Sequence, residues 1–286
     1  MAIDYEKIMS LDIPEIEQDW TARDTMLYAL GVGLGNDPID RDELRFLYEK
    51  DLQALPTMAV VMAYPGSWIR QYDVGIDYLR MVNGGNSFTI HKPLPVEGTF
   101  IGKIRVTGVI DKGEGRGALV NAEREVFDKA TGDHLCTVGT SSFLRGQGGF
   151  GGPSGPEKPI AQIPDRPWDL ACDLTTLPQS ALIYRLSGDY NPLHADPDIA
   201  TKAGFDRPIA HGLLTYGVAG NALLKTVCGY DPSKLKSMEG RFSAPVFPGD
   251  TVRTEMWKDG SEIIFRSVVA ERDAVVINNG RAEIAG

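Results

Sequence analysis

Three stretches of this chain occur twice, in the same order and roughly 150 residues apart, which limits the fold to one built from two copies of a single unit. "LYALGVGLGNDPID" (Leu27 to Asp40) is echoed by "IYRLSGDYNPLHAD" (Ile183 to Asp196), and "LPTMAVVMA" (Leu55 to Ala63) by "RPIAHGLLTYG" (Arg207 to Gly217). "KPLPVEGTFIGKIRV" (Lys92 to Val106) returns as "APVFPGDTVRTEMW" (Ala244 to Trp257), a proline-apolar turn feeding an alternating strand. Between the copies lies "RGQGGFGGPSGPEKP" (Arg145 to Pro159), too rich in glycine and proline to continue a helix or a central strand. The expected organisation is a first domain over 1–150, a linker over 151–175 and a second domain over 176–286. "GQGGFGG" also suggests a phosphate-cradling loop, but proline follows where a helix should open, so a plain linker is the stronger reading.

Each copy reads as a helix, a loop, a more buried helix and then several strands. "HGLLTYGVAGNALLKTV" (His211 to Val227) spreads Leu213, Leu214, Val218, Ala219, Ala222 and Leu223 around most of a helical circumference, as a helix inside a domain must. Downstream the pattern alternates and turns at "KDGS", a hairpin signal; the first copy does the same at "DKGEGRG" and "KATGD". An antiparallel sheet wrapped around a buried helix, made twice, is an α+β fold.

The chain has 286 residues and a net charge of −10, which argues against general nucleic-acid binding, since that depends on neutralising phosphates. No apolar run approaches the roughly 18 residues that a membrane span requires. Met1 to Leu11 lacks a signal-peptide plan, and "AEIAG" is not a peroxisomal address, so a cytoplasmic protein is expected. Cys136, Cys172 and Cys228 are widely spaced and read as reduced, small apolar residues rather than as a disulfide framework or a zinc site.

The polar string "DYNPLH" puts Asp189, Asn191 and His194 between an apolar run and a turn. Pro192 disfavours a helical Asn191, so the segment turns. An Asx turn and a backbone-bonded histidine would satisfy it. Two observations favour chemistry: the first copy has Asn36, Asp37 and Pro38 but no histidine, and "AHG" places Gly212 at the start of the buried helix. The first N–H groups of a helix have no partner within it and favour an oxygen bearing negative charge. An Asp/His pair beside such a donor is an acid–base site with an oxyanion binder. A metal is the weaker alternative for "DYNPLHADPD", because calcium-loop spacing and further His or Cys ligands are missing. His211 reads as a cap or packing group, and Asp196 and Asp198 as helix N-terminal acids.

With "YRLSGDYNPLHADPDIATKAGFDRPIAHGLLTYG" and "RFSAPVFPGDTVRTEMW", the chain resembles the MaoC-like (R)-specific enoyl-CoA hydratases, in particular the hydratase 2 unit of peroxisomal multifunctional enzyme type 2. "YALGVG", "FLYEKDLQALPT", "HKPLP", "DKGEG" and "GQGGFGG" extend the likeness through the first half. The resemblance implies a double hot-dog, each sheet wrapped around a long helix, with the competent loop only in the second half and room in the first for long or bulky acyl chains. It implies reversible hydration of a trans-2-enoyl-CoA, with Asp189 and His194 as the catalytic pair, Asn191 shaping their loop and the Gly212 N–H holding the thioester oxygen. Asn83, Gly84, Lys112, Tyr190 and Phe242 match substrate-contacting positions, and Glu49 an acidic position of the first half. Where relatives commonly carry His-Gly-Glu-Gln, this chain has Asn83, Gly84, Gly85 and Asn86, keeping only the first glycine. The implied partners are an acyl-CoA thioester and a second copy of the chain, with no cofactor, metal, nucleic acid or membrane.

Overall fold

The computed structural model describes residues 3–155 and 159–286. Its frame is a 10-stranded sheet in which every neighbouring pair is antiparallel. The first half supplies β1 (Ile16–Trp20), β2 (Met81–Ile90), β3 (Gly98–Asp111), β4 (Ala118–Asp128) and β5 (His134–Leu144). From the second half come β6 (Leu170–Thr175), β7 (Leu235–Phe242), β8 (Thr251–Asp259), β9 (Glu262–Val269) and β10 (Ala274–Ile284). The order β1-β3-β4-β5-β2-β7-β10-β9-β8-β6 repeats one pattern outward from the β2–β7 junction. The two copies that the sequence repeats predict thus share one sheet through a pseudo-twofold junction, where Gly85 pairs with Arg241 and Thr89 with Ser237.

Alternation explains the strands. β9 buries every second residue, its Ile263, Phe265 and Val269 facing the core, and it joins β8 through the predicted hairpin, where Gly260 takes φ +61°. Against this sheet lies the helix Gly212–Thr226, buried from Leu213 to Leu224 as its all-round apolar pattern requires. Gly217 and Gly220 let it approach the first half, where a Cβ would meet Val32 at 2.4 Å and Thr57 at 2.2 Å.

The first half departs from the expected plan. Instead of a long helix it has a six-residue 3₁₀ turn, Pro56–Val61. Met62 is extended and Ala63 takes φ +46°, which ends helical hydrogen bonding. From β4 the buried Arg124 guanidinium donates to the carbonyls of Val60 at 2.8 Å and Ala59 at 3.3 Å, which a continuing helix would have bonded itself. Burial pulls the Arg124 pKa down to about 10, so it stays charged at neutral pH and complements the negative helix end.

The segment between the halves also carries more structure than composition suggests. Residues 170–175, within the expected linker span, alternate in exposure and form the edge strand β6 against β8. Residues 156–158 of that span lie outside the described residues. The glycine-rich stretch is wrapped around an internal carboxylate: Asp111 accepts from Gly149 N at 2.7 Å, Gly113 N at 2.8 Å and Gly151 N at 2.9 Å. These bonds hold the Asp111 pKa below the usual carboxylate range, and they engage the amides that a phosphate would need.

Candidate active site

A turn builds the site. Gly188 takes φ +119°, which bends the chain out of the preceding 3₁₀ turn and into Asp189. The Asp189 carboxylate accepts from Asn191 N at 3.2 Å, and the Asn191 side chain accepts from Leu193 N at 3.1 Å, opening a short 3₁₀ turn over Pro192–His194. Asp196 then caps the helix Pro197–Lys202. Both the turn chemistry and the convergence of Asp189 with His194 are therefore present in one loop.

His194 is 8% exposed, and its Nδ1 lies 2.9 Å from the Ile209 carbonyl. A carbonyl only accepts, so Nδ1 carries the proton and Nε2 is left as an acceptor. Burial lowers its pKa below the ordinary histidine value, against the opposing pull of that carbonyl and of Asp189, which keeps the ring neutral at neutral pH. The sequence favours His211 as a cap or packing group, and the structure makes it the latter. It gives the helix no side-chain cap; its ring stacks on His194 at 3.8 Å and 32°, and its Nε2 donates to the Asp189 carbonyl at 3.1 Å. Burial, then repulsion from His194, lowers its pKa to about 3.

Asp189, His194 and His211 offer ligand atoms within 4.8 Å of one another, the one such metal-capable group found among the described residues. Two of the four ring nitrogens, however, already face carbonyls.

Gly212 opens the central helix one residue after His211, and the Phe242 ring lies 3.4 Å from where a Cβ on Gly212 would stand. Across the β2–β7 junction Gly85 pairs with Arg241, so Asn83 and Gly84 of the first half sit beside Phe242. Gly84 occupies a bulge against β5, and Asn83 donates to Asn86 Oδ1 at 2.6 Å while accepting from Gly85 N at 3.2 Å. Phe143 links this bulge to the Lys112 loop: it lies beside a Cβ at Gly84 at 3.5 Å and at Gly117 at 2.9 Å. The Lys112 amide closes that loop onto Gly117 at 3.1 Å. Tyr190 is 58% exposed under the Arg185 guanidinium, 5.0 Å from its ring centre. Glu49 is exposed too; the buried acid of that segment is Glu43, which accepts from Gly35 N at 2.7 Å and Tyr230 Oη at 3.1 Å.

Residues 159–279 match the model of the MaoC like domain, and residues 19–146 that of the MFE-2 hydratase 2 N-terminal domain. Over 296 residues the chain is 39% identical to "Enoyl-CoA hydratase 2, peroxisomal" of Arabidopsis thaliana, covering 98% of this chain and 94% of that one. This chain belongs to the MaoC-like hydratase 2 family. It is also 40% identical to "3-hydroxyacyl-thioester dehydratase Y" of Mycobacterium tuberculosis, with 100% of both chains covered. Among solved structures, a MaoC-like dehydratase from Phytophthora capsici superposes with a TM-score of 0.88 at 33% identity, covering 99% of this chain and 98% of that one.

Within this hydratase 2 chain the degenerate copy is visible residue against residue. The register of the repeats sets Gly33 against Asp189 and Pro38 against His194, while Tyr28 and Tyr184 meet as a tilted pair 6.1 Å apart. Tyr64, which the sequence does not single out, comes from the first half to the Asp189–His194 loop: its ring lies 3.7 Å from a Cβ at Gly188. Burial, reinforced by the Asp189 charge, pushes its pKa up to about 12. Its only sequence signal is the "AYPG" turn that ends the shortened helix.

Proposed function

We propose that this chain adds water across the double bond of a trans-2-enoyl-CoA to give the (3R)-3-hydroxyacyl-CoA, and catalyses the reverse dehydration. The observation that carries it is the convergence of a carboxylate and a neutral imidazole, with Nε2 unprotonated, beside the N-terminus of a buried helix. Asp189 and His194 hydrogen-bond one water. Its oxygen bonds to C3 as one proton passes to Nε2 of His194, and a proton is returned to C2 on the same face. The negative charge that gathers on the thioester oxygen meets the Gly212 N–H, the kind of interaction that contributes most in such sites. The names of the relatives, hydratase and thioester dehydratase, describe the two directions of this hydro-lyase reaction.

Phe242, Asn83 and Gly84 line the thioester, Lys112 faces the phosphates of coenzyme A, and the shortened first-half helix leaves space for the acyl chain. The reaction requires no metal and no redox cofactor. Two copies form a homodimer, a point that light scattering tests. Among the described residues no helix is long and apolar enough to cross a membrane. We assign the cytoplasm as its compartment; the Arabidopsis relative is named peroxisomal, so cell fractionation is the check.

The test is a direct absorbance assay with crotonyl-CoA and trans-2-decenoyl-CoA, followed by chiral analysis of the product. Loss of the conjugated thioester with formation of the 3R alcohol is expected. No turnover of either substrate makes the chain a non-catalytic acyl-CoA binder, and release of free coenzyme A makes it a thioesterase.

A further inference from the structure

In the repeat that begins at Leu55 and Arg207, Pro56 answers Pro208 and Tyr64 answers Tyr216. Tyr216 lies inside the central helix, fully buried, its Oη donating to the Met238 carbonyl at 2.6 Å. Tyr64 has no such helix around it, because helical bonding in the first half ends at Val61. The first-half sheet fixes where it goes instead. Gln18 of β1 accepts from Ala63 N, and Arg124 of β4 holds the carbonyls of Ala59 and Val60. Gly102 of β3 leaves room for both, since a Cβ there would meet Ala63 Cβ at 2.9 Å and Arg124 Cδ at 3.3 Å. With Ala63 at φ +46°, the chain turns away from the helical path and carries Tyr64 to the other copy.

Tyr64 arrives at the hinge of the Asp189 loop. Among the described residues its ring alone, apart from Gly188's own chain neighbours, comes within 4 Å of where a Cβ on Gly188 would stand. The Arg124 guanidinium lies 5.9 Å from the centre of that ring, within the reach of a cation–π contact. The phenolic oxygen makes no hydrogen bond among the described residues, so the ring and not the hydroxyl makes the contact. Elsewhere the loop is tied by hydrogen bonds: the Asp189 carbonyl accepts from His211 Nε2 at 3.1 Å and its carboxylate from Asn191 N at 3.2 Å. Gly188, at φ +119°, is the link on which Asp189 can swing, and Tyr64 is what covers it.

We propose that Tyr64 is a positioning residue: backed by Arg124, its ring confines the Gly188 hinge and keeps the Asp189 carboxylate aimed at the water shared with His194. The role rests on the hydratase reading of Asp189. The copy without an acid and base of its own thereby acts in the chemistry of its twin. A displacement of about 1 Å at a reacting group costs on the order of 10²-fold in rate, so the effect belongs in kcat.

Tyr64→Ala and Tyr64→Phe in the full chain test this, with the enoyl-CoA absorbance assay run over a range of crotonyl-CoA concentrations. Hydrogen exchange over residues 186–194, followed by mass spectrometry, reads the loop itself. For Tyr64→Ala, kcat should fall roughly 10–100-fold with KM within about threefold of wild type, and exchange should quicken about tenfold. Tyr64→Phe, which keeps the ring, should restore both. Should Tyr64→Ala not fold, Tyr64→Leu, which keeps apolar bulk but not the flat ring, should give the same split. A loss in Tyr64→Phe as large as in Tyr64→Ala assigns the effect to the hydroxyl and overturns the proposal. So does a change in KM alone, or a loop whose exchange ignores the ring. If the wild-type chain hydrates no enoyl-CoA, the hydratase reading fails; faster exchange in Tyr64→Ala but not in Tyr64→Phe would still show that Tyr64 holds the turn.

Discussion

Replacing single glycines by alanine along the central helix should separate stability from activity. At Gly212 the new methyl would stand 3.4 Å from two atoms of the Phe242 ring and 3.5 Å from a third, an ordinary contact, in a backbone that alanine adopts without strain. Alanine also restricts the unfolded chain, so Gly212→Ala should fold with unchanged or slightly higher stability, by up to about 1 kcal/mol. Yet in the proposed mechanism that methyl fills the gap between the helix start and Phe242 through which the thioester oxygen approaches. A site deprived of one such donor loses on the order of 10²–10³ in turnover, and that loss is expected. At Gly217 the methyl meets Val32 Cγ1 at 2.4 Å and Tyr28 Oη at 3.2 Å; at Gly220 it meets Thr57 Cγ2 at 2.2 Å. Those two variants should lose about 1–3 kcal/mol by overpacking. Whatever remains folded should keep its activity. Urea unfolding monitored by circular dichroism, together with the enoyl-CoA absorbance assay, reads both quantities. A stable Gly212→Ala enzyme with wild-type turnover refutes the role given to that N–H. Gly217→Ala as stable as wild type refutes the packing across the halves.

Asp189→Asn and His194→Gln should each lower turnover by about 10²–10⁴ while the protein still unfolds cooperatively, and either variant working at a near-normal rate would remove that residue from the mechanism. Both imidazoles are held neutral below the ordinary histidine pKa, so between 6.5 and the folded value, about 3 for His211, the unfolded chain binds protons that the fold refuses. Stability should therefore fall with falling pH from 6.5, by up to about 1.4 kcal/mol per pH unit for each ring. His211→Asn should flatten that slope in urea titrations at pH 7.5, 6.0 and 5.0; an unchanged slope places the proton uptake elsewhere. Asp111→Ala would leave three glycine amides without their acceptor and should cost about 3 kcal/mol or more, with proteolysis at Gly149 to Gly152 as a second readout. Chelators should leave turnover untouched, and loss of activity in EDTA would revive the metal reading of the three-residue cluster.

What the sequence reveals of this fold depends on how local the cause is. The repeats, the buried helix from Gly212 and the hairpin at Gly260 are written in spacing and turn chemistry, and all three stand in the structure. So is the meeting of Asp189 and His194, because Gly188, Asn191 and Pro192 turn the chain within a few residues. The shortened first-half helix is not legible: its end is imposed by Arg124, which lies two strands away in sequence order and reaches back to Ala59 and Val60. The alternation of β6 is clear once seen, but glycine and proline before it mask six residues of pattern. Glu43 and Glu49 look alike in sequence, and only the approach of Gly35 and Tyr230 decides which one is buried. The stacking of His211 on His194 depends on a turn twenty residues upstream, beyond any periodicity.

The shared sheet bears on how such a chain can change over time. In a pair of identical subunits, any substitution appears on both sides of the two-fold axis. Here β2 and β7 meet across that axis as different sequences on one polypeptide, so Gly33 could part from Asp189, and Pro38 from His194, without harming the other copy. One copy can keep Asp189 and His194 while its twin drifts in shape. A length of chain between the halves is what makes that division of labour heritable.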